Sequence, residues 1–170
     1  MPIRAALLAA ILLAAPAAAQ TQPPGNGVSQ ADRATIAACV RDSGEMPRAC
    51  IGAIAVVCAR QPGTPRDGAD VACSRREAAV WRERLDLGLA AVAQRLEAGA
   101  RSRLAALQRS WESYSAQKCA FAAEIQPPAR AAAMQAGCEL REVALRAMEV
   151  ERMARRQSSR PPAARPELHR

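Results

Sequence analysis

The part of the chain that decides the fold is residues 81–96, WRERLDLGLAAVAQRL. Its large apolar residues recur at steps of four, four, three and four, and charged residues occupy many of the positions between them. This is the spacing of one face of an α-helix, and it does not match the strict alternation of a half-buried strand. The apolar stripe consists of Trp81, Leu85, Leu89, Val92 and Leu96.

Two more helical stretches are predicted downstream. A second stripe has steps of three, four and three, and its helix ends at Gln126-Pro127-Pro128, because the residue before a proline disfavours helical geometry. A last helix is predicted over residues 129–155. Gly99, between the two stripes, either ends the first helix or only weakens it. The second stripe is Leu104, Leu107, Trp111 and Tyr114, and the last helix has Met134, Cys138, Leu145 and Met148 on one face.

Upstream of the first stripe, residues 31–42 have helical composition, with Asp32 placed as an N-cap. The apolar residues 48–60 fit either a buried strand or a helix. We interpret them as a helix, which places Cys50 and Cys58 on the same face. The predicted fold class is therefore all-α, a small antiparallel bundle of helical hairpins.

Composition supports a helical core and leaves the meaning of the charge open. With one Phe, one Tyr and two Trp in 170 residues, the core must be built from Ala, Leu, Val and Met, which suits close helix packing better than strands. The formal net charge is +8, and Lys118 is the only lysine. The arginines either bind an anionic partner, such as lipid head groups or acidic cell-wall polymers, or are solvated on helix faces.

The N-terminus has the pattern of a secretory signal peptide. Residues 1–19 place one basic residue, Arg4, before a short apolar run and end in three alanines. The run is shorter than the ~20 apolar residues that span a bilayer, so no transmembrane segment is predicted in the mature form. Residues 20–30 are predicted to be a flexible leader, 31–155 a disulfide-stapled helical domain, and 156–170 a disordered basic tail.

Six cysteines follow the signal peptide, and none lies within it. They contain no C-x-x-C pair, and the only histidine is His169, so neither a redox motif nor a metal site is predicted. Disulfides persist in an oxidising compartment such as the periplasm. We therefore predict that all six are oxidised: Cys39, Cys50, Cys58, Cys73, Cys119 and Cys138.

Many connectivities are open to six cysteines. On one helix, Cys50 and Cys58 would be about 12 Å apart, which is too far for a bond between them. Three pairs flank predicted turns, and each would join two consecutive antiparallel helices, whereas a Cys50–Cys73 bond would refute this scheme. The three pairs are Cys39–Cys50, Cys58–Cys73 and Cys119–Cys138.

A Gln-Arg-x-Trp sequence on the second stripe is followed by an aromatic residue three positions after the Trp and by a cysteine eight positions after it. Another cysteine follows nineteen positions later. This pattern resembles the LprI-like family of lysozyme inhibitors, and the resemblance also supports the Cys119–Cys138 pair. The matching residues are Gln108, Trp111, Tyr114, Cys119 and Cys138, and Arg146 fits a family arginine further on.

The resemblance covers about residues 73–150. Upstream, Cys73, Glu77, Trp81 and Leu85 fit the family pattern. The chain departs from the family at several other positions. Arg82 replaces an Asp, Asp86 an Asn, Leu89 a Tyr and Val143 a Thr, and Ser115-Ala116 replaces an Arg-Asp pair.

The resemblance implies a periplasmic, non-catalytic protein that binds and inhibits a lysozyme. No histidine precedes the tail, so a nucleophile–histidine pair is missing, and neither an enzyme nor a cofactor is predicted. Because many lysozymes are also basic, an acidic patch would have to compensate the like charge. The candidate patches are Glu83 with Asp86, and Glu112 with Glu124.

The alternative is an envelope interaction or structural protein that binds an anionic ligand, or another envelope protein, through its arginines. Binding to nucleic acid is not predicted, because exported proteins rarely meet DNA.

Export is directly testable. Expressed with its own N-terminus in a bacterium, the protein is expected to be cleaved after Ala19, because small residues occupy the positions before that bond. N-terminal sequencing of the periplasmic form should begin at Gln20 or within a few residues. A mature protein that retains Met1 would contradict the prediction.

Overall fold

The computed structural model describes residues 28–63 and 68–159. Within these ranges the chain forms five α-helices and a short 3-10 helix, and it contains no strand. The all-α fold stapled by disulfides is therefore confirmed. The helices are α1 Gln30–Asp42, α2 Ala55–Ala59, α3 Ala69–Ala93, α4 Ala98–Glu124 and α5 Pro128–Ser158, and the 3-10 helix Pro47–Cys50 lies between α1 and α2.

Helix α1 begins one residue earlier than predicted, and Asp32 is not its N-cap. The cap is Ser29, whose hydroxyl accepts a hydrogen bond of 3.1 Å from the Asp32 amide. Asp32 lies in the first turn and is buried. Its carboxylate accepts two hydrogen bonds of 2.8 and 2.9 Å from the Arg76 guanidinium of α3. The residue therefore docks α1 onto α3.

The segment between α1 and α3 is not one helix. The predicted helix over residues 48–60 is wrong, because the chain forms the 3-10 helix, then turns at Gly52, and only then enters the short α2. Gly52 has a φ of 99°, a backbone conformation that favours glycine. Cys50 and Cys58 therefore do not share a helix face. As predicted, they do not bond to each other.

A buried carboxylate on α3 holds this turn in place. The side chain of Glu77 is fully buried. Its Oε1 accepts hydrogen bonds from the Gly52 amide at 2.8 Å and from the Trp81 indole at 3.0 Å. Its Oε2 accepts from the amides of Ile54 at 2.9 Å and Ala55 at 2.8 Å. Four donors thus compensate the cost of removing one carboxylate from water.

The reversal between α3 and α4 occurs at residues 94–97. Gly99 does not end a helix, because it lies in the first turn of α4. The Arg101 guanidinium donates to the carbonyl oxygens of Ala93 at 3.2 Å and Leu96 at 3.0 Å. A basic side chain thereby adds donors to two carbonyls at the reversal, of which that of Ala93 also accepts a bond of 3.2 Å from the Leu96 amide.

Helix α5 packs along α3 and also contacts α4. Gly88 allows the close approach of α3 and α5, because an added Cβ would lie 3.0 Å from Val150 Cγ1. The predicted apolar face of α5 is only partly right. Met148 is buried, but Met134 is exposed and Leu145 is half-buried. The buried face instead contains Ala136, Leu140, Val143, Ala144, Ala147, Met148 and Val150.

The prediction made for the apolar stripe of α4 is only partly right, because Leu104 and Trp111 pack against the core and the other two residues do not. Leu107 is 64% exposed and Tyr114 is 59% exposed. The side that faces the rest of the bundle instead buries Gln108, Cys119 and Ala123. By contrast, the stripe predicted on α3 does lie in or against the core.

All six cysteines are in disulfides, and no free thiol remains. The bonds join the three pairs that flank turns in the sequence: Cys39–Cys50, Cys58–Cys73 and Cys119–Cys138. Each closes a loop between consecutive elements, and a disulfide of this kind typically contributes about 2–4 kcal/mol to stability.

The predicted ends of the domain fall largely outside the described residues. Residues 1–19, assigned to the signal peptide, lie there, as do most of the predicted leader and tail. Gln30, assigned to the leader, is the first residue of α1. Residues 156–158, assigned to the tail, belong to α5.

The role of the Glu77 carboxylate can be tested by Glu77→Gln. An amide has one acceptor oxygen instead of two, and its NH₂ group would face backbone donors, so the free energy of unfolding should fall by about 2–4 kcal/mol. Urea denaturation measures the change. Glu139→Gln, on the exposed side of α5, should shift stability by less than about 0.5 kcal/mol. Equal effects of the two substitutions would contradict the assigned role.

The Asp32–Arg76 pair predicts a pH dependence. The hydrogen bond from Arg76 holds the pKa of Asp32 below its ordinary value. A carboxyl with a lowered folded-state pKa contributes stability above its unfolded pKa, and this contribution is lost as pH falls through the folded pKa. Asp32→Asn should therefore destabilise the protein at pH 7 and have a smaller effect below about pH 4. A difference in free energy of unfolding that is unchanged by pH would contradict the pairing.

Candidate functional site

A groove between α3 and α4, with α5 as its floor, contains several of the residues that the sequence analysis selected. Its volume is about 410 Å³. We call it the Trp111 groove, after the only aromatic residue among those that line it. It is lined by Arg75, Ala78, Ala79, Arg82, Trp111, Glu112, Ser115, Ala116, Glu139, Glu142 and Val143.

Trp111 lies between two guanidinium groups. Arg82 of α3 lies 5.6 Å from the centre of its ring system, and Arg146 of α5 lies 5.8 Å from it. Cations at this distance are attracted to the ring. Trp111 is half-buried and packs against the core. Its ring therefore connects α4 to both α3 and α5.

A hydrogen-bond chain fixes the orientation of these groups. The buried Gln108 accepts a bond of 3.1 Å from Arg146 Nε, and its Nε2 donates to Glu112 Oε1 at 3.1 Å. Arg146 also donates to Glu149 at 2.9 Å, so its acidic partner on α5 is Glu149. Glu112 is in turn 3.7 Å from Arg82. Gln108 is thus a buried partner that links α4 to α5.

The charges of the groove are unevenly neutralised. Glu142 accepts a hydrogen bond of 2.7 Å from Lys118, which raises the pKa of that lysine above its ordinary value. Glu139 accepts one from Gln135 of its own helix at 2.9 Å. Arg75 is exposed, and no ion-pair or hydrogen-bond partner for it occurs in the described part of the chain. The Arg75 end of the groove therefore offers a free guanidinium to a partner.

The other motif residues from the sequence analysis do not line this groove. Glu77, Trp81 and Leu85 are fully buried in the core. Tyr114 is exposed on another side of α4, with Lys118 Nζ 5.9 Å from the centre of its ring. The motif thus combines residues that build the scaffold with residues that surround one surface feature.

Departures from the family pattern are concentrated at this groove. Arg82, Ser115, Ala116 and Val143 all line it, whereas Leu89 lines a separate apolar cleft between the end of α3 and the start of α4. The small side chains at 115 and 116 and the arginine at 82 make the groove more open and more basic than the family pattern implies.

The acidic patches proposed from sequence are partly neutralised. Glu83 accepts hydrogen bonds of 2.7 and 3.0 Å from Arg33 Nε, and this pairing lowers the pKa of the Glu83 carboxyl. Glu112 faces Arg82 and Gln108. Sequence reasoning did not select Arg75, although its spacing of seven from Arg82 places both on one side of α3.

Other clefts contain fewer of the selected residues. One of them has a volume of about 740 Å³ and lies between α2, the start of α3 and the first half of α5. Of the motif residues, only Cys138 lines it. Over residues 28–63 and 68–159, no group of three or more His, Cys, Asp or Glu side chains could hold a metal ion. The helices described are also too short or too polar to cross a membrane.

The fold and the groove define a class of protein: a disulfide-stapled bundle of helical hairpins that presents a shaped, arginine-rimmed surface. The chain belongs to the LprI family, because the family model described as "Lysozyme inhibitor LprI" matches residues 58–150. The match begins at Cys58, whereas the resemblance seen in the sequence begins at about residue 73. It therefore includes both cysteines of the Cys58–Cys73 disulfide. No curated protein and no solved structure was found to match the chain.

Proposed function

We propose that this protein is a non-catalytic inhibitor of a lysozyme, that it is exported to the periplasm, and that it binds its target with the Trp111 groove. The observation that carries the proposal is the family match over residues 58–150, which spans α3, α4 and most of α5. These are the three helices that build the groove.

The chemistry of the groove suits an enzyme that cleaves glycosidic bonds. Such enzymes generally use two carboxylic side chains in an open cleft. A guanidinium matches the geometry of a carboxylate and can bind it bidentately. Arg75 and Arg82 carry such groups at the α3 side of the groove, and we assign to them the contact with acidic groups of the lysozyme cleft.

Two disulfides restrain the helices around the groove. Cys58–Cys73 fixes the start of α3, and Cys119–Cys138 joins α4 to α5. An inhibitor loses less conformational entropy on binding when its surface is already ordered. The disulfides therefore have a functional role in this proposal in addition to their contribution to stability.

The proposal predicts a local effect of charge. Arg75→Glu removes a guanidinium that has no internal partner and should raise the inhibition constant by about tenfold or more, equivalent to about 1.4 kcal/mol. Arg95→Glu is the matched control, because it changes the net charge equally and Arg95 lies beyond the end of α3, whose last residue Ala93 is about 17 Å along the helix axis from Arg82. Inhibition is measured by the clearing of bacterial cell walls by lysozyme, with oxidised mature protein.

Equal changes in the two variants would contradict the groove as the binding site. No inhibition by the wild-type protein at micromolar concentration, against basic and less basic lysozymes, would contradict the function itself. Because the mature chain keeps a formal net charge of +7, the +8 of the full sequence less Arg4, inhibition of a strongly basic lysozyme should weaken as salt is lowered, since repulsion between two cations is then less screened.

A second candidate function rests on the surface next to the Trp111 groove. Arg48 and Arg152 both line two neighbouring clefts, the first of which also has Trp111 and Arg146 in its wall. Neither Arg48 nor Arg152 has an ion-pair partner among the residues described. These arginines favour an anionic ligand such as a lipid head group or an acidic cell-wall polymer. Binding to such a polymer should tighten at low salt, which is the opposite trend.

A further inference from the structure

Helix α4 carries a row of exposed apolar side chains. Leu107, Tyr114, Phe121 and Ile125 are 64%, 59%, 61% and 62% exposed. The first three are spaced by seven residues, so they lie on one side of the helix with a drift of only about 20° per step. We call these four residues the outer stripe. Large apolar side chains exposed in a group on one side of a helix mark a candidate interaction surface.

The outer stripe points away from the bundle. Cys119 is buried and forms the disulfide to α5. Because an α-helix turns by about 100° per residue, the first three members of the outer stripe lie about 120–160° from Cys119 around the axis of α4. Ala116, which lines the Trp111 groove, lies about 160° from Tyr114 around the helix. The stripe thus faces away from Ala116, whereas Trp111 lies about 40° from Leu107, between the stripe and the rest of the groove.

The order of residues along the stripe is symmetric about Tyr114. Leu107 precedes it by seven positions and Phe121 follows it by seven. If two copies of α4 lie antiparallel, Tyr114 meets Tyr114 of the second copy, and Leu107 meets Phe121 of the second copy twice. A twofold axis through Tyr114 thus pairs these three residues with large apolar side chains, as a closed isologous interface requires, and it places Ile125 opposite Arg103 of the second copy.

The charges beside the stripe fit the same arrangement. Arg103 and Glu124 are both exposed, and neither has an ion-pair partner in the described ranges. They lie eleven positions before and ten positions after Tyr114. Antiparallel packing therefore brings Arg103 of each copy beside Glu124 of the other. Parallel packing would instead place Arg103 beside Arg103 and Glu124 beside Glu124, which is unfavourable.

We propose that the outer stripe of α4 is the interface of a homodimer in which two copies pack antiparallel about Tyr114. The occupant of this apolar surface is a second copy of the chain. This inference does not depend on the target of the grooves.

The test is sedimentation equilibrium of the oxidised mature protein over a range of concentrations. The wild type should form dimers. Tyr114→Glu should weaken dimerisation at least about a hundredfold, because it places two carboxylates face to face on the symmetry axis. Leu87→Glu is the matched control, since Leu87 is 65% exposed on α3 and is not part of the stripe. It should leave the dimer unchanged, and circular dichroism should show equal helix content in all variants.

A charge exchange tests the antiparallel register. Arg103→Glu and Glu124→Arg should each weaken the dimer, whereas the double variant should restore it, because the pairs then reform with reversed sign. A wild-type monomer at every concentration, or a dimer unaffected by Tyr114→Glu, would overturn the proposal. Single and double charge variants that weaken the dimer alike would overturn the register.

Discussion

The buried carboxylate of Glu77 is the interaction on which the rest of the structure depends. An unpaired carboxylate in the core would be strongly destabilising, and here three backbone amides of residues 52–55 and the indole of Trp81 satisfy it. The loop has to adopt one conformation to present three amides to the same two oxygens. The carboxylate thus joins the first disulfide-linked part of the chain to α3 and orients Trp81 in the core. Arg82, the next residue, reaches Trp111 in the groove.

Packing between α3 and α5 carries this order to the site. The two helices approach closely because Gly88 leaves room for Val150, and because alanines line the buried side of α5. Helix α4 is held less extensively, through the Cys119–Cys138 bond and the hydrogen bonds Gln108–Arg146 and Lys118–Glu142. One side of α4 consequently remains open to the groove, and another side presents the outer stripe.

The sequence predicted the fold better than it predicted which residues are buried. The stripe of α3 was recognisable because its large apolar residues are separated by charged ones. The buried face of α5 was missed, since alanines signal little hydrophobicity by themselves and become core residues only when a neighbouring helix comes close. The stripe of α4 was only half right, since only Leu104 and Trp111 pack against the core. Periodicity shows which residues share a side of a helix and not how much of that side a neighbour covers. Residues 48–60 illustrate another limit: the turn at Gly52 depends on Glu77, a residue 25 positions away.

The groove could be predicted only in part, for a related reason. Gln108, Trp111 and Arg146 were selected through the family resemblance, whereas Arg75 was not, because the groove exists only once three helices are placed side by side. The most direct test of the central claim, that this surface binds a lysozyme, is NMR of ¹⁵N-labelled protein during titration with unlabelled lysozyme. The chain has two indole N–H groups, one on the buried Trp81 and one on Trp111 at the groove. The Trp111 signal should shift or broaden in proportion to inhibition while the Trp81 signal stays in place. Inhibition with an unchanged Trp111 signal, or no change of either signal at saturating lysozyme, would contradict the account.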